Sequence, residues 1–175
     1  SRRRHTRCSR DWSSDVCSSD LMEKDLAVYV LVRNDLPSMN PGKAMAQVHH
    51  AGVQMMSKFS DERLVKEYIK IGFDNDAYHF NTTLVVSATK KQIEAAIGVA
   101  RLCGAICGNV LDPSYPFFVD PELAPLVAAD DNVTEVGPSG NKVLFVRPEM
   151  TCAWILMDRE DPEMRSIVAA MPLHP

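Results

Sequence analysis

The first strongly patterned stretch of the chain is residues 26–32 (LAVYVLV), seven consecutive apolar positions rich in Val. A short continuous run of this kind predicts a strand buried on both faces. Asn40 followed by Pro41 is an N-cap with proline at the first helical position, and it predicts a helix to about Lys58. Within it, Ala44, Val48, Gly52, Met55 and Phe59 recur at steps of three or four, an apolar stripe suited to a sheet. Lys43, Gln47, His50 and Gln54 form a second, polar row on the same helix. A second helix is expected after Ser60, with Gly72 as its stop. Residues 80–88 predict a strand. Thr89 with Gln92 predicts a capping box opening a helix that ends before Gly104, and residues 105–111 predict a third strand. Residues 113–140 are rich in Pro, Asp and Gly and read as a long loop with one helical turn near Glu122. Residues 142–146 and 151–157 read as strands, and 162–171 as a closing helix.

This alternation predicts an α/β fold. The expected form is a single three-layer domain at 22–175, a mixed, mostly parallel sheet of four strands or slightly more flanked by helices. A long loop interrupts it at about 113–147. Ligands of such sheets gather at the carboxyl ends of strands. Here the predicted strand ends carry Arg33-Asn34-Asp35, Asp112 and Asp158-Arg159.

Composition changes this picture in two places. The longest apolar run is far below the roughly 20 residues that span a bilayer, so no membrane partner is expected. Residues 1–21 are rich in Ser, Arg and Asp without apolar periodicity, and they resemble translated sequencing-adapter read-through. They are read as a non-native leader, with the natural start at Met22. The formal charge is −4, from 19 basic and 23 acidic residues. Without the leader's five Arg and three Asp it becomes −6, from 14 basic and 20 acidic residues. A generally basic nucleic-acid binder is excluded, and any nucleic-acid surface has to be local. Cys103, Cys107 and Cys152 read as reduced cytosolic thiols, the first two as buried packing residues, and the expected setting is cytoplasmic.

The polar row is a solvated helix face on the plainest reading. Lys43, however, lies in the first helical turn, where the helix dipole disfavours a cation. A lysine there makes sense if an anion is drawn jointly to the ammonium and the free backbone N–H groups. His49 and His50 face different directions and have no carboxylate or imidazole at i+4, so no metal site is expected.

Read together, the residues 31–36 (LVRNDL), Gly42-Lys43-Ala44-Met45-Ala46-Gln47 and His50-Ala51 resemble the opening of the type 2 peptidyl-tRNA hydrolases. The likeness runs in order through the strand near Thr83, the helix after Thr89, a strand delivering Asp112, and the strand at 151–156. That resemblance implies hydrolysis of the ester joining a peptide to the 3′ ribose of tRNA, in the context of translation, without metal or cofactor. It implies Lys43 and Asp112 as catalytic residues, with Gln47 and His50 matching the helix motif. Ester cleavage needs an aimed water and a group that stabilises the developing oxyanion. Imidazole titrates near neutral pH, which suits His50 to moving a proton. After Asp112 the chain departs from the family pattern: the position of the family's Thr falls on Pro116, which has no hydroxyl. Ser114, Tyr115 and Thr151 are the hydroxyls that could replace it, Ser114 taken as catalytic and the other two as substrate-binding. Arg33 and Asp35 join them as substrate-binding candidates. Lys90, Lys91, Arg147 and Arg159 are further cations for a tRNA surface.

Three functions follow as expectations. The first is peptidyl-tRNA hydrolysis. The second is a tRNA- or nucleotide-binding module on the same fold that has lost hydrolysis. The third is a small-substrate esterase with the long loop as a lid. A homodimer is left open.

Overall fold

The computed structural model describes residues 25–74 and 81–175. The expected leader and the start of the strand expected from Phe80 lie outside them. The elements are β1 (Leu26–Arg33), α1 (Pro41–Phe59), α2 (Arg63–Asp74), β2 (Thr82–Ala88), α3 (Lys90–Leu102), β3 (Ile106–Val119), α4 (Ala124–Val127), β4 (Thr134–Ser139), β5 (Lys142–Asp158) and α5 (Pro162–Ala169). The fold is α/β, with a mixed five-stranded sheet in the order β2-β1-β5-β3 and β4 on the edge of β5.

The local signals act as their chemistry dictates. Asn40 Oδ1 accepts from the Lys43 backbone N–H at 2.9 Å, and Thr89 and Gln92 close the capping box of α3. Gly104 has φ +72°, and the N–H of Ala105 reaches back to the carbonyl of Ala100 at 2.9 Å. That is a Schellman ending, which a Cβ at Gly104 would strain. Gly72 does not stop α2, which continues to Asp74. It is glycine for packing reasons: a Cβ there would lie 1.6 Å from Asn81 Oδ1. Ser60 does not open α2 either, but closes α1.

Two sheet expectations are corrected. β1 and β2 pair in parallel across the α1–α2 crossover, but β1–β5, β3–β5 and β4–β5 are antiparallel. β1, β2 and β3 share one direction, and β5 runs the opposite way between β1 and β3. That insertion makes most of the pairing antiparallel. Consequently Asp158-Arg159 lies at the end of the sheet opposite to Arg33 and Asp112, and Arg159 pairs there with Asp25 at 3.0 Å.

The second correction concerns the long loop. β3 runs on past Asp112 to Val119, and the two strands expected at 142–146 and 151–157 are one, β5. Register shifts between Val110 and Leu111 and between Asp112 and Tyr115 absorb Pro113 and Ser114 opposite Pro148. Proline lacks the ladder N–H and is tolerated at such bulges. β4 turns into β5 through Gly140-Asn141, with Gly140 at φ +62°. The result is a three-stranded antiparallel extension, β3-β5-β4, with Phe145 buried in it and facing Phe117.

Two buried clusters lie on opposite faces of the main sheet. One joins Tyr29, Leu31, Ile155 and Met157 to Ile93, Ile97 and Met164 of α3 and α5. The other joins Val28, Val30, Trp154 and Leu156 to Ala44, Ala51, Met55 and Val65 of α1 and α2. The three layers are therefore α1–α2, sheet, and α3–α5. Trp154 is fully buried, stacks edge-on against Phe59 with centroids 5.4 Å apart, and donates from Nε1 to Gln54 Oε1 at 2.8 Å. A Cβ at Gly108 would come within 2.9 Å of both side chains. The C-terminal tail covers the free edge of β2 through Ser87 N–H to Pro172 O at 2.8 Å and His174 N–H to Val85 O at 2.9 Å, a protected edge. Cys103, expected as packing, is exposed; its thiol donates to Glu163, which pushes it up to about 11.

Candidate active site

The carboxyl ends of β1 and β2 and the middle of β3, around Asp112, lie at one end of the main sheet, beside the N-terminal half of α1. Lys43, Gln47, His50 and Gln54 come from α1, and Asp112 and Tyr115 from β3. Among the expected site residues, Gln47, His50 and Asp112 line one cleft of about 260 Å³, together with Gln54, Val110 and Leu111. His50 is exposed and Asp112 half-buried.

The polar row of α1 is not a uniformly solvated face. Gln47 is buried, and its Oε1 accepts from the Thr151 hydroxyl at 2.7 Å. The thiol of Cys152 donates to the Gln47 carbonyl at 3.6 Å. These bonds draw Gln47 toward β5 and turn the buried face of α1 to Ala44, Gln47, Ala51 and Met55, rather than to Val48 and Gly52. Gln54 is likewise held, donating from Nε2 to Asn109 O at 2.9 Å while accepting from Trp154. Two glutamines thus fix α1 against β3 and β5 on either side of His50.

Lys43 belongs to an adjoining group. Its Nζ lies 5.2 Å from the centroid of the Tyr115 ring, a cation–π contact. The Tyr115 hydroxyl and the Ser38 hydroxyl are 2.6 Å apart, and Ser38 also donates to the carbonyl of Pro116 at 3.0 Å. The backbone of Pro116, the position read as lacking the family's hydroxyl, is thus held by Ser38. Ser38 was not among the expected site residues; its only sequence signal is its place in the short β1–α1 connection.

The remaining expectations fall in different surroundings. Ser114 is exposed, and its backbone N–H, not its hydroxyl, donates to Asp112 Oδ1 at 2.9 Å. Thr151 has no exposed surface, and its hydroxyl is taken by Gln47. Arg33 is 5% exposed: Nε donates to Asp35, and Nη1 to Glu149 at 3.0 Å and to the Met150 carbonyl at 2.9 Å. Burial pulls the Arg33 guanidinium down, but its bonds to Asp35 and Glu149 outweigh this and leave it raised. Burial pushes the Asp35 carboxyl up, while the Arg33 hydrogen bond and the Lys90 backbone N–H outweigh it and hold it below the usual carboxylate range. Glu149 is buried and also takes Arg147 Nη2 at 2.9 Å. A buried Arg at the end of an apolar strand demands such an acid, which was the available signal for Glu149.

With this geometry in view, the resemblance is borne out where the β1–α1 elements lie. Residues 26–97 match the model of the family described as Peptidyl-tRNA hydrolase PTH2. The match carries β1, α1, α2, β2 and the first turns of α3, and with them Lys43, Gln47 and His50. No curated protein matches the chain. Among the described residues, no helix is long and apolar enough to cross a membrane, and no three His, Cys, Asp or Glu side chains are grouped to hold a metal ion.

Proposed function

We propose that the chain is a peptidyl-tRNA hydrolase that cleaves the ester between peptide and tRNA in the cleft between α1 and β3. The observation that carries this reading is the meeting of Gln47 and His50, from the PTH2-matched segment, with Asp112 in one cleft beside Lys43. Asp112 orients the attacking water and accepts its proton. The hydroxide adds to the ester carbonyl, and the Lys43 ammonium at the start of α1 faces the oxygen that becomes negative. Collapse breaks the bond to the 3′ ribose oxygen, which takes a proton delivered through His50. The products are the free peptide carboxylate and tRNA with its 3′ hydroxyl restored. Ser38 and Tyr115 supply hydroxyl dipoles beside Lys43. In this proposal the chain's own side chains perform the chemistry without metal or cofactor, in the cytoplasm, where peptidyl-tRNA arises.

The test is incubation of the purified chain with N-acetyl-aminoacyl-tRNA. Release of N-acetyl amino acid, lowered about 10²-fold or more by Asp112→Asn, is the expected result. A second reading, tRNA binding without turnover, is favoured by Pro116 and by Thr151 being sealed beneath Gln47. Saturable tRNA binding with no release of product would establish it and overturn the first.

A further inference from the structure

The antiparallel extension builds a second pocket, which shares Ser38 and Tyr115 with the proposed hydrolytic group. It has a volume of about 360 Å³ and is lined by Leu36, Pro37, Tyr115, Phe117, Lys142 and Arg147, among others. Its charged lining residues are both basic. The guanidinium carbon of Arg147 lies 5.0 Å from the centroid of the Phe117 ring. Phe117 in turn stacks on Phe145, with centroids 5.9 Å apart and planes 27° apart. Glu149, itself held by Arg33, fixes Arg147 from the side, yet the Arg147 side chain remains 45% exposed. Among the described residues, Lys142 pairs with exposed Asp120, at 3.7 Å. Such a pair is worth little, so the ammonium can exchange it for a phosphate at small cost. Tyr115 belongs to this pocket and also carries Lys43 over its ring, so the pocket adjoins the proposed catalytic group.

We propose that this pocket is a subsite for one unpaired RNA nucleotide, its base stacked on the Arg147–Phe117 platform and its phosphate met by Lys142. Single-stranded RNA is recognised by stacking on aromatic rings and guanidinium planes together with cationic contacts to the backbone. A neutral peptide side chain would use the apolar wall and leave both cations without purpose. The chain carries a net charge of −4, so a polyanion is welcome only where cations gather. The subsite rests on the hydrolase reading and deepens it: the nucleotide is an unpaired one near the esterified 3′ end.

The experiment titrates the full chain with a short unesterified single-stranded RNA, an abasic oligomer of equal charge, and N-acetyl-phenylalaninamide. Arg147→Ala is expected to weaken RNA binding about tenfold. Arg147→Lys, which keeps the charge and loses the plane, recovers part of it. The abasic oligomer binds about tenfold more weakly than RNA to the unaltered chain, and Lys142→Ala flattens the salt dependence. Thermal melts of Arg147→Lys and Lys142→Ala establish that both fold. RNA binding unchanged in Arg147→Ala and Lys142→Ala overturns the subsite, as does displacement of RNA from the pocket by the amide. Binding needs no turnover, so the two readings fail separately. Arg147-dependent RNA binding without ester hydrolysis overturns the hydrolase reading alone, and hydrolysis with Arg147-independent RNA binding overturns the subsite alone.

Discussion

Residues 26–97 and the extension built from Tyr115 to Arg147 share an end of the same sheet but are assembled by different physics. The first is a strand–helix–helix–strand–helix unit whose ends are set within a few residues by Asn40, Pro41, Thr89 and Gln92. Its one strand pairing is a parallel crossover. The extension has hardly any local punctuation of that kind. Its strands exist because each finds a partner 24–32 residues away or across a two-residue turn, and Pro113 and Pro148 at its base sit at a register shift that excuses a missing N–H. The proposed chemistry lies where the two regions touch: Lys43, Gln47 and His50 come from the first, and Asp112 and Tyr115 from the strand that leads into the second.

Trp154 holds α1 to β5 opposite Gly108 of β3, and its removal should have the largest effect. Trp154→Ala deletes the side chain that fills the α1 face of the sheet and leaves Gln54 Oε1 without its donor. We expect a loss of about 3–5 kcal/mol in denaturant unfolding, with both regions unfolding together. Phe145→Ala sharpens the contrast. It is buried wholly within the extension, so about 3 kcal/mol should be lost there. Hydrogen exchange is expected to report this as faster exchange in β4 and in the first half of β5, with α1 and β2 still protected. Gly108→Ala is next, at about 1–3 kcal/mol by thermal unfolding, because its Cβ would press on Gln54 and Trp154.

The smallest effect concerns Arg33, which ties β1 to the strand leading out of the extension. Asp35 titrates below its ordinary range in the folded protein, so it binds fewer protons there than in the unfolded chain. Its contribution is present above the unfolded carboxylate pKa, about 3.9, and is lost as pH falls through the lower folded value. Asp35→Asn should therefore destabilise at neutral pH and flatten the stability profile below about pH 4. Melting temperature against pH reads both.

The same contrast explains what was legible from sequence. The starts of α1, α3 and α5, the Gly104 stop, the buried strand β1 and the row Lys43, Gln47, His50 and Gln54 are local or periodic signals and were readable, whereas the start of α2 was not. β3 beyond Asp112 was not, because Pro113 and Pro116 break the strand pattern, and their tolerance depends on a partner strand that local pattern does not reveal. Gly140-Asn141 between strand-like residues was the one hairpin signal in that stretch. The inverted β5 was likewise invisible, since nothing local fixes which strand lies between β1 and β3. At the site, residue types were readable but their partners were not. Gln47 looked solvated until Thr151 proved to lie beneath it, and the sequence did not reveal that Glu149 and the Met150 carbonyl hold Arg33.

The central claim is that a cation carried by the PTH2-matched helix acts on an ester placed against the strand of Asp112. Single-turnover hydrolysis of N-acetyl-aminoacyl-tRNA by Lys43→Ala, at saturating protein, tests it most directly. A rate lowered about 10²- to 10³-fold is predicted, the scale of losing one oxyanion-stabilising group, with the fold and tRNA binding retained. A single-turnover rate equal to that of the unaltered chain would contradict it.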